Sequence, residues 1–241
     1  MTRLLLINPN ISTAMTAAIR TAALARLPAG AELAAVTASF GFPVIASRLS
    51  YAVAAHAAVD AYAAHADACD AVILACFGDP GLEALREIAP VPVIGFAEAS
   101  FHAARDRGRP FAVLTIGRPW IAMIDERVRL AGAGDGYVGT FALDGTGLDA
   151  MRDPGAVLRR LEGEVRRATA AGARTVILGG AALAGFAASL PPVADYVDCV
   201  QAAMAEAAMA RGSSGFEPVP QPGPAAGLSP ALQKRAGLRV P

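Results

Sequence analysis

The sequence predicts an α/β protein of two pseudo-symmetric lobes, each a mainly parallel sheet flanked by helices, with the active site in the cleft between them. Three observations predict this. Apolar runs of strand length alternate with helical periodicity along most of the chain, the mark of parallel βαβ units. The order of these elements in the first half recurs in the second. Finally, Val72-Ile73-Leu74-Ala75-Cys76 and Val176-Ile177-Leu178-Gly179-Gly180 align as two copies of one buried strand running into a small-residue turn. One copy ends in a thiol and the other in glycine.

In order along the chain, residues 4–7 read as the first strand, stopped by Asn8-Pro9-Asn10. Ser12 is the expected N-cap of a helix that turns Met15, Ile19, Ala22 and Ala23 inward. Residues 33–37 form the second strand, followed by the irregular segment 39–43. An Ala-rich helix fits 51–66, and the strand before Cys76 follows it. Asp79-Pro80 predicts a helix start, an N-cap with proline at the first helical position. Residues 92–95 give a fourth strand. The second half repeats the pattern: a strand at 111–115, a helix at 119–130, a strand at 137–143, and a long helix opened by Asp153-Pro154. After the Val176 strand come a short helix, a strand at 193–196, and a last helix from about 198 to 209.

Two lobes follow as domains. The first takes residues 1–97 with about 198–211, the second residues 98–197. A Pro-rich C-terminal extension, 212–241, carries Pro218, Pro220, Pro222 and Pro224 and reads as extended or mobile. A chain of 241 residues buries such cores without disulfides.

Bulk composition narrows the function. With 21 basic and 21 acidic residues and no basic stripe, nucleic acid is not an expected partner. The longest uncharged run, 176–194, is broken by Gly179, Gly180, Gly185, Pro191 and Pro192 into strand, turn and helix, so no membrane span is expected. Three cysteines without a CxxC pattern point to a reducing, cytoplasmic setting. No pair of histidines or cysteines has metal-ligand spacing, and neither GxGxxG nor GxxxxGK[ST] occurs, so neither metal nor nucleotide cofactor is indicated.

The candidate chemistry centres on Cys76. At the end of a strand and ahead of a helix, its thiolate would be stabilised by backbone N–H groups that lower its pKa. The alternative is a small buried hydrophobe. Asn10 ends the first strand on the same sheet edge and offers an amide to a substrate oxygen, or merely shapes the turn. Thr115 ends the matching strand of the second lobe and offers a hydroxyl. The amides of Phe77 and Gly78 are expected to hold an oxyanion, Gly180 and Ala181 to line the facing side, and Phe42, Pro43 and Ile45 to form an apolar wall. Asp79 reads as an N-cap before it reads as a general acid. Cys69 reads as inert, Cys199 and, on the helix after Glu98, His102 as lesser candidates for the cleft, and His56 and His65 as surface or packing residues.

Ile7-Asn8-Pro9-Asn10, Ala75-Cys76-Phe77-Gly78-Asp79-Pro80-Gly81 and Pro92-Val93-Ile94-Gly95-Phe96-Ala97-Glu98-Ala99 together resemble the Asp/Glu/hydantoin racemase superfamily, with the hydantoin racemase branch most similar. The likeness spans about residues 3–210 and leaves out the tail. It implies a cofactor-independent isomerase acting on a small molecule, in which a cysteine from each lobe flanks the substrate carbon; a homo-oligomer is expected as well. Cys76 matches the first cysteine. The second is normally found in a Gly-Cys-Ala-Gly-Met-like string, which here is Gly179-Gly180-Ala181-Ala182-Leu183, and a Thr-Thr pair is reduced to Thr115-Ile116.

The missing thiol leaves the reaction open. Racemisation needs proton exchange on both faces of a planar intermediate, and one base serves one face unless the substrate turns over or water acts on the other. Three uses of one thiol remain: proton transfer or nucleophilic attack on a hydantoin, ureide or carboxylate; stereospecific decarboxylation, lysis or hydrolysis, as in the similar arylmalonate decarboxylases; or binding without turnover.

Overall fold

The computed structural model describes residues 2–66, 69–210 and 226–236. In the first sheet β1 (Thr2–Asn8), β2 (Ala31–Thr37), β3 (Ala71–Leu74) and β4 (Val93–Gly95) lie in the order β2-β1-β3-β4. In the second, β5 (Phe111–Ile116), β6 (Tyr137–Leu143), β7 (Thr175–Leu178) and β8 (Asp195–Asp198) lie in the order β6-β5-β7-β8. Every pairing is parallel. The β3 and β7 strands are apolar runs buried along their whole length, as strands covered on both faces must be.

The two sheets are copies in register. Leu74 pairs with Ile7 in one, and Leu178 with Leu114 in the other. The next residue makes the same bond in each: Ala75 N–H donates to the Ile7 carbonyl at 2.8 Å, and Gly179 N–H to that of Leu114 at 2.7 Å. Cys76 and Gly180 are therefore structural counterparts.

Helices cover both sheets. Ser12 caps α1 (Thr13–Leu24) by accepting from Met15 N–H at 3.2 Å, and a Ser47–Ser50 capping box opens α2 (Arg48–His65). Then follow α3 (Leu82–Ile88), α4 (Phe96–Arg105), α5 (Trp120–Leu130), α6 (Gly147–Arg152), α7 (Pro154–Ala170), α8 (Cys199–Met209) and α9 (Pro230–Arg235). The α4 helix, which follows β4, packs on β7 and β8, and α8, which follows β8, packs on β3, β4 and α1. One apolar cluster runs through both lobes, with Phe101 of α4 edge-on to Phe77 at 6.0 Å and beside Phe111 at 6.4 Å.

Three local expectations need correction. The helix after Cys76 begins at Leu82, with Gly81 rather than Asp79 at its N-cap. Asp79 is fully buried and turned the other way, so its carboxylate accepts from Ala97 and Glu98 N–H, both at 2.9 Å, and caps α4 instead. The last strand is Asp195–Asp198, two residues later than expected, because Pro191 and Pro192 hold the chain in a turn that keeps Val193 exposed. The α6 helix is an addition, opened by a Thr146–Asp149 capping box.

Of the Pro-rich extension, residues 212–225 and 237–241 lie outside the described residues. Within it α9 packs on α2, burying Leu232 and setting the Arg235 guanidinium 5.5 Å from the centre of the Tyr62 ring. Among the described residues no helix is long and apolar enough to cross a membrane.

Candidate active site

The carboxyl ends of β1, β3, β5 and β7 meet at a small cavity of about 100 Å³ between the lobes. This is where parallel α/β sheets place ligands, because the loops leaving those ends carry free backbone groups. Cys76 stands on one side, and Gly180 with Ala181 on the other. Asn10, Phe77, Thr115, Pro43 and Ile45 also line the cavity, so seven of the residues singled out from sequence besides Cys76 are brought together. Among the described residues no Asp, Glu, Lys, Arg or His side chain lines it.

Cys76 is half-buried, and its thiol has one weak partner, the Phe77 carbonyl, at 3.9 Å. Burial, with the Asp79 carboxylate behind it, pushes the thiol above the ordinary cysteine range. This reverses the expectation of a lowered value. The turn does leave the Phe77 and Gly78 N–H groups without acceptors among the described residues, but desolvation outweighs them. Free of ligand, Cys76 is a thiol at neutral pH.

One polar group on the wall is fixed for donation, and a second is free to donate. The Asn10 side-chain oxygen accepts from Asn8 Nδ2 and from Ser12 N–H, both at 2.9 Å, so its Nδ2 is left as the group to offer a ligand. Asn8 is the hub behind it. Fully buried, it donates to Asn10, to the Ser12 carbonyl at 3.2 Å and to Thr16 at 2.9 Å, and Thr16 in turn meets Thr37 at 2.6 Å. Thr115 is buried, and its hydroxyl has no hydrogen-bond partner among the described residues.

Two residues expected at the site stand elsewhere. Gly78 lies under Trp120: a Cβ there would come within 2.6 Å of the indole, and its carbonyl accepts from the Tyr51 hydroxyl at 2.7 Å. Phe42 is on the surface, because its backbone carbonyl takes the Ile11 N–H and turns the ring outward; the wall is made by Pro43, Val44 and Ile45. Cys199 is fully buried behind Gly180, outside the lining. His102 pairs with Glu206 at the surface.

A family model described as Asp/Glu/Hydantoin racemase matches residues 4–207. The chain belongs to the Asp/Glu/hydantoin racemase family. It is thereby an isomerase of racemase type, from a family that acts on small molecules. The hydantoin racemase of Paenarthrobacter aurescens is 33% identical over 205 residues, 81% of this chain and 86% of that one. An allantoin racemase from Klebsiella pneumoniae superposes with a TM-score of 0.85 at 29% identity, over 94% of this chain and 97% of that one. The fold alone is shared with a double mutant of arylmalonate decarboxylase, at a TM-score of 0.62 and 18% identity, over 91% of this chain and all of that one.

Within this racemase several lining residues escaped the sequence reading. Met15, Ile116, Leu183 and Trp120 complete the apolar wall. Trp120 also donates its Nε1–H to the Ile45 carbonyl at 3.1 Å, tying the segment over the cavity to the opposite lobe. For Trp120, its being the sole tryptophan, at the start of a helix that leaves a central strand, was the available signal. Asn8 carried a signal too, as a polar residue closing a buried strand.

Proposed function

We propose that this chain is a hydantoin-racemase-like enzyme that exchanges the α-proton of a small, uncharged hydantoin or ureide ring through Cys76 alone. The observation that carries this reading is the composition of the cavity: one thiol, amide and hydroxyl donors, apolar walls and no charged side chain. A carboxylate substrate would sit there as an unpaired buried ion, at a cost of several kcal/mol or more. A neutral ring carbonyl asks only for donors, which Asn10 Nδ2, Thr115 and the free N–H groups of Phe77 and Ala181 supply.

In the reaction Cys76 first loses its proton to solvent water, and the thiolate so formed, a small fraction at neutral pH, takes the proton from the ring carbon next to a carbonyl. The electron pair moves onto the carbonyl oxygen, where those donors stabilise it. Cys76, after exchange with water, returns a proton to the same face. Gly180 leaves the opposite face to a water molecule, so inversion is slow beside exchange. The apolar wall of Val44, Ile45 and Trp120 takes the ring substituent.

The test measures solvent deuterium uptake and optical purity of 5-substituted hydantoins. Wild type is expected to exchange faster than it racemises, and Cys76→Ala to lose at least ~10²-fold of the exchange. Full exchange in Cys76→Ala would remove that residue from the mechanism. A second reading, decarboxylation of a disubstituted malonate, is favoured by one feature only, a single protonated thiol suited to delivering a proton to one face. Release of carbon dioxide from such an acid, without hydantoin exchange, would put it first.

A further inference from the structure

Behind the Cys76 turn lies a buried ion group that the mechanism above does not use. Asp79 is the one non-glycine residue with positive φ among the described residues, at 55°, and it is wholly buried. Its strained backbone is held by the two N–H groups of α4, and Gly95 has no side chain because a Cβ would collide with the Asp79 carboxylate. The turn that aims Cys76 is therefore pinned through Asp79, whose N–H also donates to the Cys76 carbonyl at 3.0 Å.

The cation facing Asp79 comes from the other lobe. Arg127, on the α5 helix that follows β5, is nearly as buried, and its Nη1 pairs with Glu83. Its Nε–H has no hydrogen-bond partner among the described residues and stands 3.7 Å from Asp79 Oδ2. A buried N–H left unpaired is uncommon and calls for a reason. An approach of about 0.8 Å would bring it to the usual N–H···O distance of about 2.9 Å. Arg127 and Asp79 stand behind the cavity on elements of opposite lobes, so a movement that brought the lobes together on a ligand would shorten this contact.

We propose that Arg127 is a positioning residue: its Nε–H bonds Asp79 when the lobes close on substrate, locking the Cys76 turn in its reactive setting. This rests on Cys76 being the reacting group. The unpaired N–H disfavours the open state and the bond rewards the closed one, so the pair acts on turnover more than on the resting fold. A lysine keeps the charge but has no Nε–H to place.

The direct readout uses the wild-type protein. The Arg127 Nε–H resonance, assigned by its loss in Arg127→Lys, is followed in nitrogen-15 spectra during titration with a 5-substituted hydantoin. It is expected to move downfield and to exchange more slowly with water on binding. In Arg127→Lys the kcat for deuterium exchange is expected to fall at least about tenfold, while iodoacetamide alkylates Cys76 in the ligand-free variant at the wild-type rate. Resonance position and water exchange both unchanged at saturation, or kcat within twofold of wild type in Arg127→Lys, overturns the proposal. Hydantoin exchange that survives in Cys76→Ala overturns the functional reading instead, and wild type that exchanges no hydantoin overturns both.

Discussion

At the scale of single residues, small side chains set the site as firmly as reactive ones. A Cβ at Gly179 would lie 2.7 Å from the Phe77 ring and 2.9 Å from Val113, so Gly179→Ala forces the aromatic wedge between the lobes to move. We expect a loss of about 1–3 kcal/mol in urea unfolding, the usual cost of overpacking. Gly180 is the opposite case. A Cβ there meets nothing within 4 Å, so Gly180→Cys has room for the thiol the family normally carries, although φ of 157° requires some backbone rotation. That variant should raise the ratio of racemisation to exchange, as chiral chromatography would show; an unchanged ratio would mean that the opposite face is closed to the new thiol. Cys76 itself should react as a weak acid. With its thiol held above the ordinary range by burial and by Asp79, the thiolate fraction, and with it iodoacetamide alkylation, should climb about tenfold per pH unit from neutrality to about pH 9 without a plateau. A plateau near pH 7 would show a stabilised thiolate.

At the scale of elements, the sequence was most informative where one rule acted alone. Buried apolar runs located the strands, and the Val72 and Val176 copies located the two central ones that carry Cys76 and Gly180. Ser12 and Asp153 announced their helices through local caps. Legibility failed where a side chain answers to a distant element. Asp79 followed by proline satisfies every local rule for a helix start, yet its carboxylate serves α4, seventeen residues on, because the turn faces inward. Cys76 was misjudged in its acidity for the same reason, since its own turn suggests stabilisation and only the packed lobes supply the desolvation. The segment over the cavity shows the difference between composition and placement. Phe42 looked like wall material, and Trp120 decides which residues are wall by holding the Ile45 carbonyl. Trp120→Phe keeps most of the ring and loses that bond. It should raise KM for a hydantoin severalfold while costing about 0.5–1.5 kcal/mol of stability. An unchanged KM would show that the segment needs no tether.

At the scale of the molecule, the lobes are joined by an exchange of helices: α4 follows β4 but covers β7 and β8, and α8 follows β8 but covers β3 and β4. The two helices pack on each other, so the cleft opens only as far as that contact yields. At its rim His102 Nδ1 of α4 meets Glu206 Oε2 of α8 at 3.1 Å. The hydrogen bond to Glu206 raises the imidazole above its ordinary value; burial opposes this, Glu206 and Glu98 add to it by their charges, and Arg105 opposes it. Folding therefore favours the imidazolium. The stabilisation is fully present below the unfolded value of about 6.5 and is lost as pH rises through the higher folded value. Both partners are partly exposed, so the pair is worth about 0.2–1 kcal/mol. Urea midpoints of wild type and His102→Ala should differ more at about pH 5.5 than at about pH 8.5, and salt should narrow the gap at the lower pH. An equal gap at both values would mean that the contact between α4 and α8 is held by packing alone.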